Sequence, residues 1–295
     1  PSSGGKDSTY QVLTLLELGA DVTVVTARTC HLTAIGRANI DNLARYARTI
    51  EVVPNMTVRA KLNKLGLELV GDISWPEHAA IFSTPFRVAE ETGHTLIMYG
   101  ECPQAEYGGP MGSEQAMQMT RQWVTEFGGF LGLRSDDFVG MEGITERDMV
   151  DYRPISQWEI DQAKIEAHFL GQYIAWDSRR NAEVAKAHGM RTLGQPPSRA
   201  NWWEAENLDC AMTGVHDWFM FRKFHFGRGC QQISVDIRSG LVDRDFALQW
   251  VAEHDGIFPD VYAGIPFSEV LDRIGITQHQ LREIATRFEG ATHAG

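Results

Sequence analysis

Paired cysteines are missing from this chain. Its 4 cysteines, Cys30, Cys102, Cys210 and Cys230, stand singly with no C-x-x-C spacing. That excludes the usual zinc and dithiol motifs and gives the thiol usage of a cytosolic protein rather than a disulfide-stapled one. Positive charge is also short: Lys and Arg number 27 against 39 Asp and Glu, for a net charge of -12. Nucleic-acid affinity rests on cations that neutralise phosphates, so a broad nucleic-acid surface is excluded, although a local basic pocket is not. No apolar run reaches the length that spans a bilayer, and no charged start with an apolar centre marks a signal peptide, so no membrane association is expected. Internal repeats and low-complexity linkers are absent too.

What is present is globular. Apolar residues make up 43% and charged residues 22% of 295 residues, enough to bury a core and to fill two ordinary domains. Thr9 to Leu18 reads as a helix with Val12, Leu15 and Leu16 on one face and Gly19 at its end. Asp21 to Ala27 has the β-branched density of a strand. Helical stretches at 39–47 and 85–93 alternate with strands at 50–53 and 94–99, which predicts a mostly parallel sheet. Phe169 to Asp177 reads as a last strand. From Asn181 the apolar spacing turns helical, at 182–187, 247–254, 268–273 and 278–288. The expected organisation is a nucleotide-binding α/β domain over 1–180 and a smaller helical domain over 181–295. The strand that ordinarily feeds such an opening loop is missing ahead of it, so the natural N-terminus is expected to lie further upstream.

That loop is Ser3-Gly4-Gly5-Lys6-Asp7-Ser8, followed directly by a helix. Backbone N–H groups of successive glycines at a helix start form a concavity that suits pyrophosphate. Ser3 and Ser8 add hydroxyl donors, Lys6 neutralises phosphate, and Asp7 orients the loop or holds a magnesium ion. A Walker A loop needs a glycine, four intervening residues and then Gly-Lys-Ser/Thr, and Lys6 is followed by Asp7 with no such upstream glycine, so γ-phosphate transfer is disfavoured.

Further stretches widen the pattern: AIGRANIDNL at 34–43, YGECPQAEYGG at 99–109, FLGQYIAWD at 169–177, and HDWFMFRKFHFGRG with DIRSG between His216 and Gly240. With the loop, they resemble the N-acetyl sugar amidotransferases of surface-polysaccharide and LPS biosynthesis, a branch of the PP-loop ATP pyrophosphatase superfamily. The resemblance implies the adenine nucleotide alpha hydrolase-like fold, with ATP and Mg2+ as cofactors. It implies that an acetamido group on a nucleotide-linked sugar becomes acetamidino through an O-adenylyl intermediate, with ammonia from a separate glutaminase subunit. Lys6, Asp7 and Glu101 would be catalytic and Asp7 the metal ligand. Ser3, Gly4, Gly5, Lys6, Asp7 and Ser8 would hold the nucleotide, and Asn39, Lys223 and Arg228 the sugar substrate. One departure is Gly100-Glu101-Cys102-Pro103, where the family pattern has Gly-Glu-Asn-Pro.

Other readings of the same residues are plainer. Arg222, Lys223, His225 and Arg228 form a basic cluster interleaved with Phe221, Phe224 and Phe226, which suits a substrate phosphate but also describes a solvated helix face. Asn39 and Asn42 can be helix caps. His216 and Asp217 are adjacent and do not face each other on a helix, which favours a structural histidine. Trp202, Trp203 and Trp218 read as core aromatics, and 267–285 as a packing helical hairpin, since it lacks the basic face of a DNA reader. The competing functions are a PP-loop RNA thiolase and a nucleotide-binding module without catalysis.

Overall fold

The computed structural model describes residues 1–100 and 119–289. Two compact units are present: residues 1–29, 36–59 and 75–191 form the first, and 30–35, 60–74 and 192–295 the second. They do not follow the expected boundary after residue 180. Residues 178–191 fold with the first unit, and two earlier stretches join the second.

In the first unit, helix α1 (Lys6–Glu17) leads to strand β1 (Thr23–Ala27), helix α2 (Ala34–Leu43) and strand β2 (Arg48–Val52). β1 pairs with β2 in parallel register, from Thr23 opposite Arg48 to Ala27 opposite Val52. Val24, Val25 and Thr26 are all buried, as a strand covered on both faces requires. Val12, Val24 and Leu43 make the core between these elements, with Leu16, Val22 and Ala47 against it.

Helix α3 (Met56–Val70) begins in the first unit and ends in the second. Helix α4 (Trp75–Thr92) contains Pro85, which has no N–H to give the carbonyl four residues back. That carbonyl belongs to Ile81, and the Tyr99 hydroxyl donates to it at 3.0 Å. Tyr99 ends strand β3 (Leu96–Tyr99), so the helix defect is repaired from the strand that follows. Next come helices α5 (Arg121–Phe127) and α6 (Gln157–Ala163), strand β4 (Glu166–Phe169) and helix α7 (Ser178–Ala187). β3 and β4 pair in parallel, from Leu96 opposite Glu166 to Tyr99 opposite Phe169. The fully buried Arg59 donates to Tyr152 Oη at 3.0 Å and to Glu77 Oε1 at 3.1 Å.

The chain is therefore mixed α/β, but the expected single parallel sheet is present among the described residues as two parallel pairs. A cavity of about 380 Å³, lined by Pro1, Thr23, Val24, Val25, Leu96 and Ile97 among others, lies along both β1 and β3. The strand expected over 169–177 is displaced upstream. β4 ends at Phe169, a tight turn takes 170–172, and Asp177 caps α7 by accepting from the Arg179 and Arg180 amides at 2.9 and 3.0 Å.

The second unit holds helices α8 (Thr213–Phe224), α9 (Arg228–Arg238) and α10 (Arg244–His254). A short hairpin of β5 (Val261–Tyr262) and β6 (Ile265–Pro266) precedes helices α11 (Phe267–Ile274) and α12 (Gln278–Thr286). Val270, Leu271, Ile274, Leu281 and Ile284 put the apolar faces of the last two helices into one core with Leu67, Val215, Trp218 and Phe219. This is the packing hairpin expected over 267–285. Residues 30–35 belong here because Leu32 bridges Cys210 and Thr33 N–H donates to Asp209 O at 2.9 Å. Among the described residues no helix is long and apolar enough to cross a membrane.

Candidate functional site

The opening residues run beside the carboxyl end of β1. Ser2 N–H donates to Val25 O at 2.8 Å and Thr26 Oγ1 donates to Ser2 O at 2.8 Å. The chain then turns through Gly4 at φ +78°, a left-handed conformation that a side chain disfavours. A Cβ at Gly4 would also stand 2.8 Å from the backbone of Asn39 and Ile40, so the loop lies directly on α2. Gly5 is the N-cap of α1, and no side chain caps that helix start. The first turn of α1 thus presents backbone N–H groups and the positive end of the helix dipole, the arrangement that favours an anion.

Lys6 and Asp7 belong to this first turn rather than to an exposed loop. Lys6 is 3% exposed, and its ammonium pairs with Asp7 Oδ2. The other oxygen of Asp7 accepts from Asn181 Nδ2 at 3.0 Å. Ser8 is engaged within the loop: Ser2 Oγ donates to Ser8 Oγ at 2.9 Å, and Ser8 Oγ donates to Gly5 O at 3.3 Å. Ser2 Oγ also accepts from Gly4 N–H at 3.0 Å. Ser3 is the exposed member of the set. Gln11, one turn further, donates to Met98 O and ties α1 to β3.

Asn39 holds the fold together. It is 2% exposed; its Nδ2 donates to Arg191 O at 3.0 Å, and its Oδ1 accepts from Arg191 N–H at 2.8 Å. Asn42 Nδ2 and Tyr46 Oη both donate to His188 O, at 3.0 and 2.7 Å. The two asparagines of GRANIDNL therefore fasten α2 to residues 188–191, and both the nitrogen and the oxygen of the Asn39 amide take part. Asn39, expected at the sugar substrate, stands buried in this contact.

The basic cluster is likewise committed within the second unit. Lys223 Nζ donates to Val70 O at 3.1 Å and Gly71 O at 3.4 Å, at the end of α3, and burial pulls its pKa below the ordinary lysine value. Arg228 contacts Asp217 Oδ1 at 3.1 Å and Gln231 Oε1 at 3.1 Å. Arg222 pairs with Glu289 and lies over the Trp218 ring. The cluster is thus a set of separate structural contacts, and a substrate phosphate at Lys223 or Arg228 would compete with these partners. The start of α9 behind Gly227 is filled from within: Asp255 Oδ2 accepts the Gly227 N–H at 2.6 Å. Burial raises the Asp255 pKa.

His216 and Asp217 turn to different partners. His216 Nδ1 lies 2.8 Å from Asp72 Oδ1, whereas Asp217 serves Arg228. Burial depresses the His216 pKa, but the neighbouring Asp72 carboxylate more than offsets this, and the net shift is upward. Trp202 is fixed by its indole N–H to Asp236 Oδ2 at 2.7 Å and by its backbone N–H to Gln232 Oε1 at 2.7 Å, a structural placement.

Glu101 and Cys102 lie outside the described residues. Gly100, just ahead of them, accepts from Gly171 N–H at 3.0 Å and packs against Trp176 and Gln11. Two site residues escaped the sequence reading. Ser2 carries a signal in hindsight, being adjacent to the loop. Asn181 carries none, because its approach to Asp7 spans 174 residues.

Residues 198–293 match the family model described as LPS biosynthesis protein WbpG-like, C-terminal domain, which supports a role in LPS biosynthesis. No curated protein matches the chain.

Proposed function

We propose that the chain is an ATP-dependent amidotransferase of the PP-loop type, acting on a nucleotide-linked N-acetyl sugar in LPS biosynthesis. The observation that carries this reading is the uncapped start of α1 at Gly5, behind the left-handed Gly4, with Lys6 and Asp7 in its first turn. The match over 198–293 supports the pathway context.

In this reading the amide oxygen of the sugar attacks the α-phosphorus of ATP, pyrophosphate leaves, and ammonia then displaces AMP to give the amidine. An amide carbonyl is a poor electrophile, and adenylylation supplies its leaving group. The N–H groups at the start of α1 and the Lys6 ammonium stabilise charge on the departing pyrophosphate. Asp7 fits a magnesium site because its carboxylate is half-buried at the same helix start, and the ion when bound shares phosphate charge. Ammonia comes from a partner glutaminase.

The test is to incubate the protein with ATP, Mg2+, ammonium and a panel of nucleotide-linked N-acetyl sugars. AMP, pyrophosphate and an amidine product are expected with one of them. ADP and phosphate, or adenylylation that requires RNA, would overturn the proposal.

A further inference from the structure

We infer that Asn181 is a positioning residue for Asp7. This rests on the reading of the loop as a pyrophosphate site, and the closing experiment separates the two.

Asn181 is fully buried on α7, on the face that also buries Ala182 and Ala185. A position of that kind ordinarily takes an apolar side chain. Instead its Nδ2 donates to Asp7 Oδ1 at 3.0 Å, while Asp7 Oδ2 pairs with Lys6. The carboxylate is thereby gripped on both oxygens, one by a cation and one by a neutral amide. Only the amide nitrogen can donate to a carboxylate, so Asp7 also fixes which way the Asn181 amide faces. That leaves Asn181 Oδ1 buried without a hydrogen-bond partner among the described residues. An acceptor buried in this way calls for a donor, and a water molecule held at the loop can supply one.

The residue type is informative. Leucine would fill the volume but release Asp7, and aspartate would set a second carboxylate against it. A lysine or arginine would set a second cation on a carboxylate that Lys6 already pairs. Asparagine aims the carboxylate without adding charge.

The experiment compares wild type, Asn181→Ala, Asp7→Ala and the double variant in the full chain, with magnesium pyrophosphate and Mg-ATP as probes in calorimetry. Asn181→Ala should weaken Mg2+-dependent binding about tenfold, as loss of a partner behind a metal ligand commonly does. It should have no further effect when Asp7 is already alanine. Asn181→Asp keeps the volume but sets a carboxylate where a donor is needed, so it should weaken binding at least as much. Additive effects in the cycle, or wild-type binding by Asn181→Asp, would overturn the inference. The same cycle followed by urea unfolding without ligand tests the contact alone. Coupling there with no binding of either probe by wild type would remove the pyrophosphate reading and keep Asn181 as the holder of Asp7; additivity would remove Asn181 as well.

Discussion

Replacing Asn39 with alanine separates a structural clamp from a sugar-binding side chain. The substitution removes two hydrogen bonds, both to the backbone of Arg191, at 3.0 and 2.8 Å. Each contributes about 1 kcal/mol net. Arg191 is itself exposed, so water can reach the released groups and the cost stays near the sum, about 2 kcal/mol. For a unit of this size that lowers the melting temperature by roughly 4–8 °C. Asn39→Asp should lose at least as much, because an oxygen would then face the Arg191 carbonyl. The Gly4 backbone rests on Asn39, so loosening α2 should also weaken Mg-ATP binding, while apparent kcat should follow the loss of folded protein and KM for a sugar substrate should stay unchanged. Thermal melts, urea titrations and ATP calorimetry read these together. A variant that melts with wild type and changes only the sugar KM would refute the clamp.

Tyr99→Phe should cost about 1 kcal/mol, and less in a Pro85→Ala background, where residue 85 regains an N–H for the Ile81 carbonyl; equal urea losses in both backgrounds would disprove the repair. Lys6→Met should keep the fold and lose anion affinity, whereas Lys6→Ala should lose about 2 kcal/mol more from its buried stem, at about 0.8 kcal/mol per methylene. Matching urea midpoints for the two variants would contradict the burial of Lys6. The His216 pKa is raised, so its pairing stabilises fully below the unfolded value of about 6.5 and is lost as pH rises through the folded value. The urea midpoint of wild type should therefore fall over that range relative to His216→Gln, and parallel profiles would dismiss the pair.

The parts of the fold legible in the sequence are those whose causes are local. The Gly-Gly loop, the helix behind it and the β-branched run of β1 stand close to where the residues put them, at Lys6–Glu17 and Thr23–Ala27. The helical pair over 267–285 is legible for the same reason, since its apolar spacing and Gly275 are sequence features. The front half of α4 is not legible, because Pro85 looks like a helix start, and only a hydroxyl 14 residues later makes it acceptable in the interior. α3 is absent from the expected elements as well. Side-chain roles were least legible: Asn39, Lys223 and Arg228 have the chemistry of ligand contacts, but each found a partner distant in sequence or across a turn. No local pattern encodes those partners. The placement of Glu101 lies outside the described residues.

Two helices start behind a glycine that cannot cap them, α1 behind Gly5 and α9 behind Gly227. The second is plugged by the chain's own carboxylate, Asp255. Such a plug makes an anion choose: sulfate or phosphate entering at α9 must first evict a covalently tethered competitor, whose effective concentration a dilute ligand cannot match. Asp255→Ala removes that competitor, so sulfate titration should find tighter binding to the variant than to wild type, and equal binding would show that the carboxylate only braces the loop.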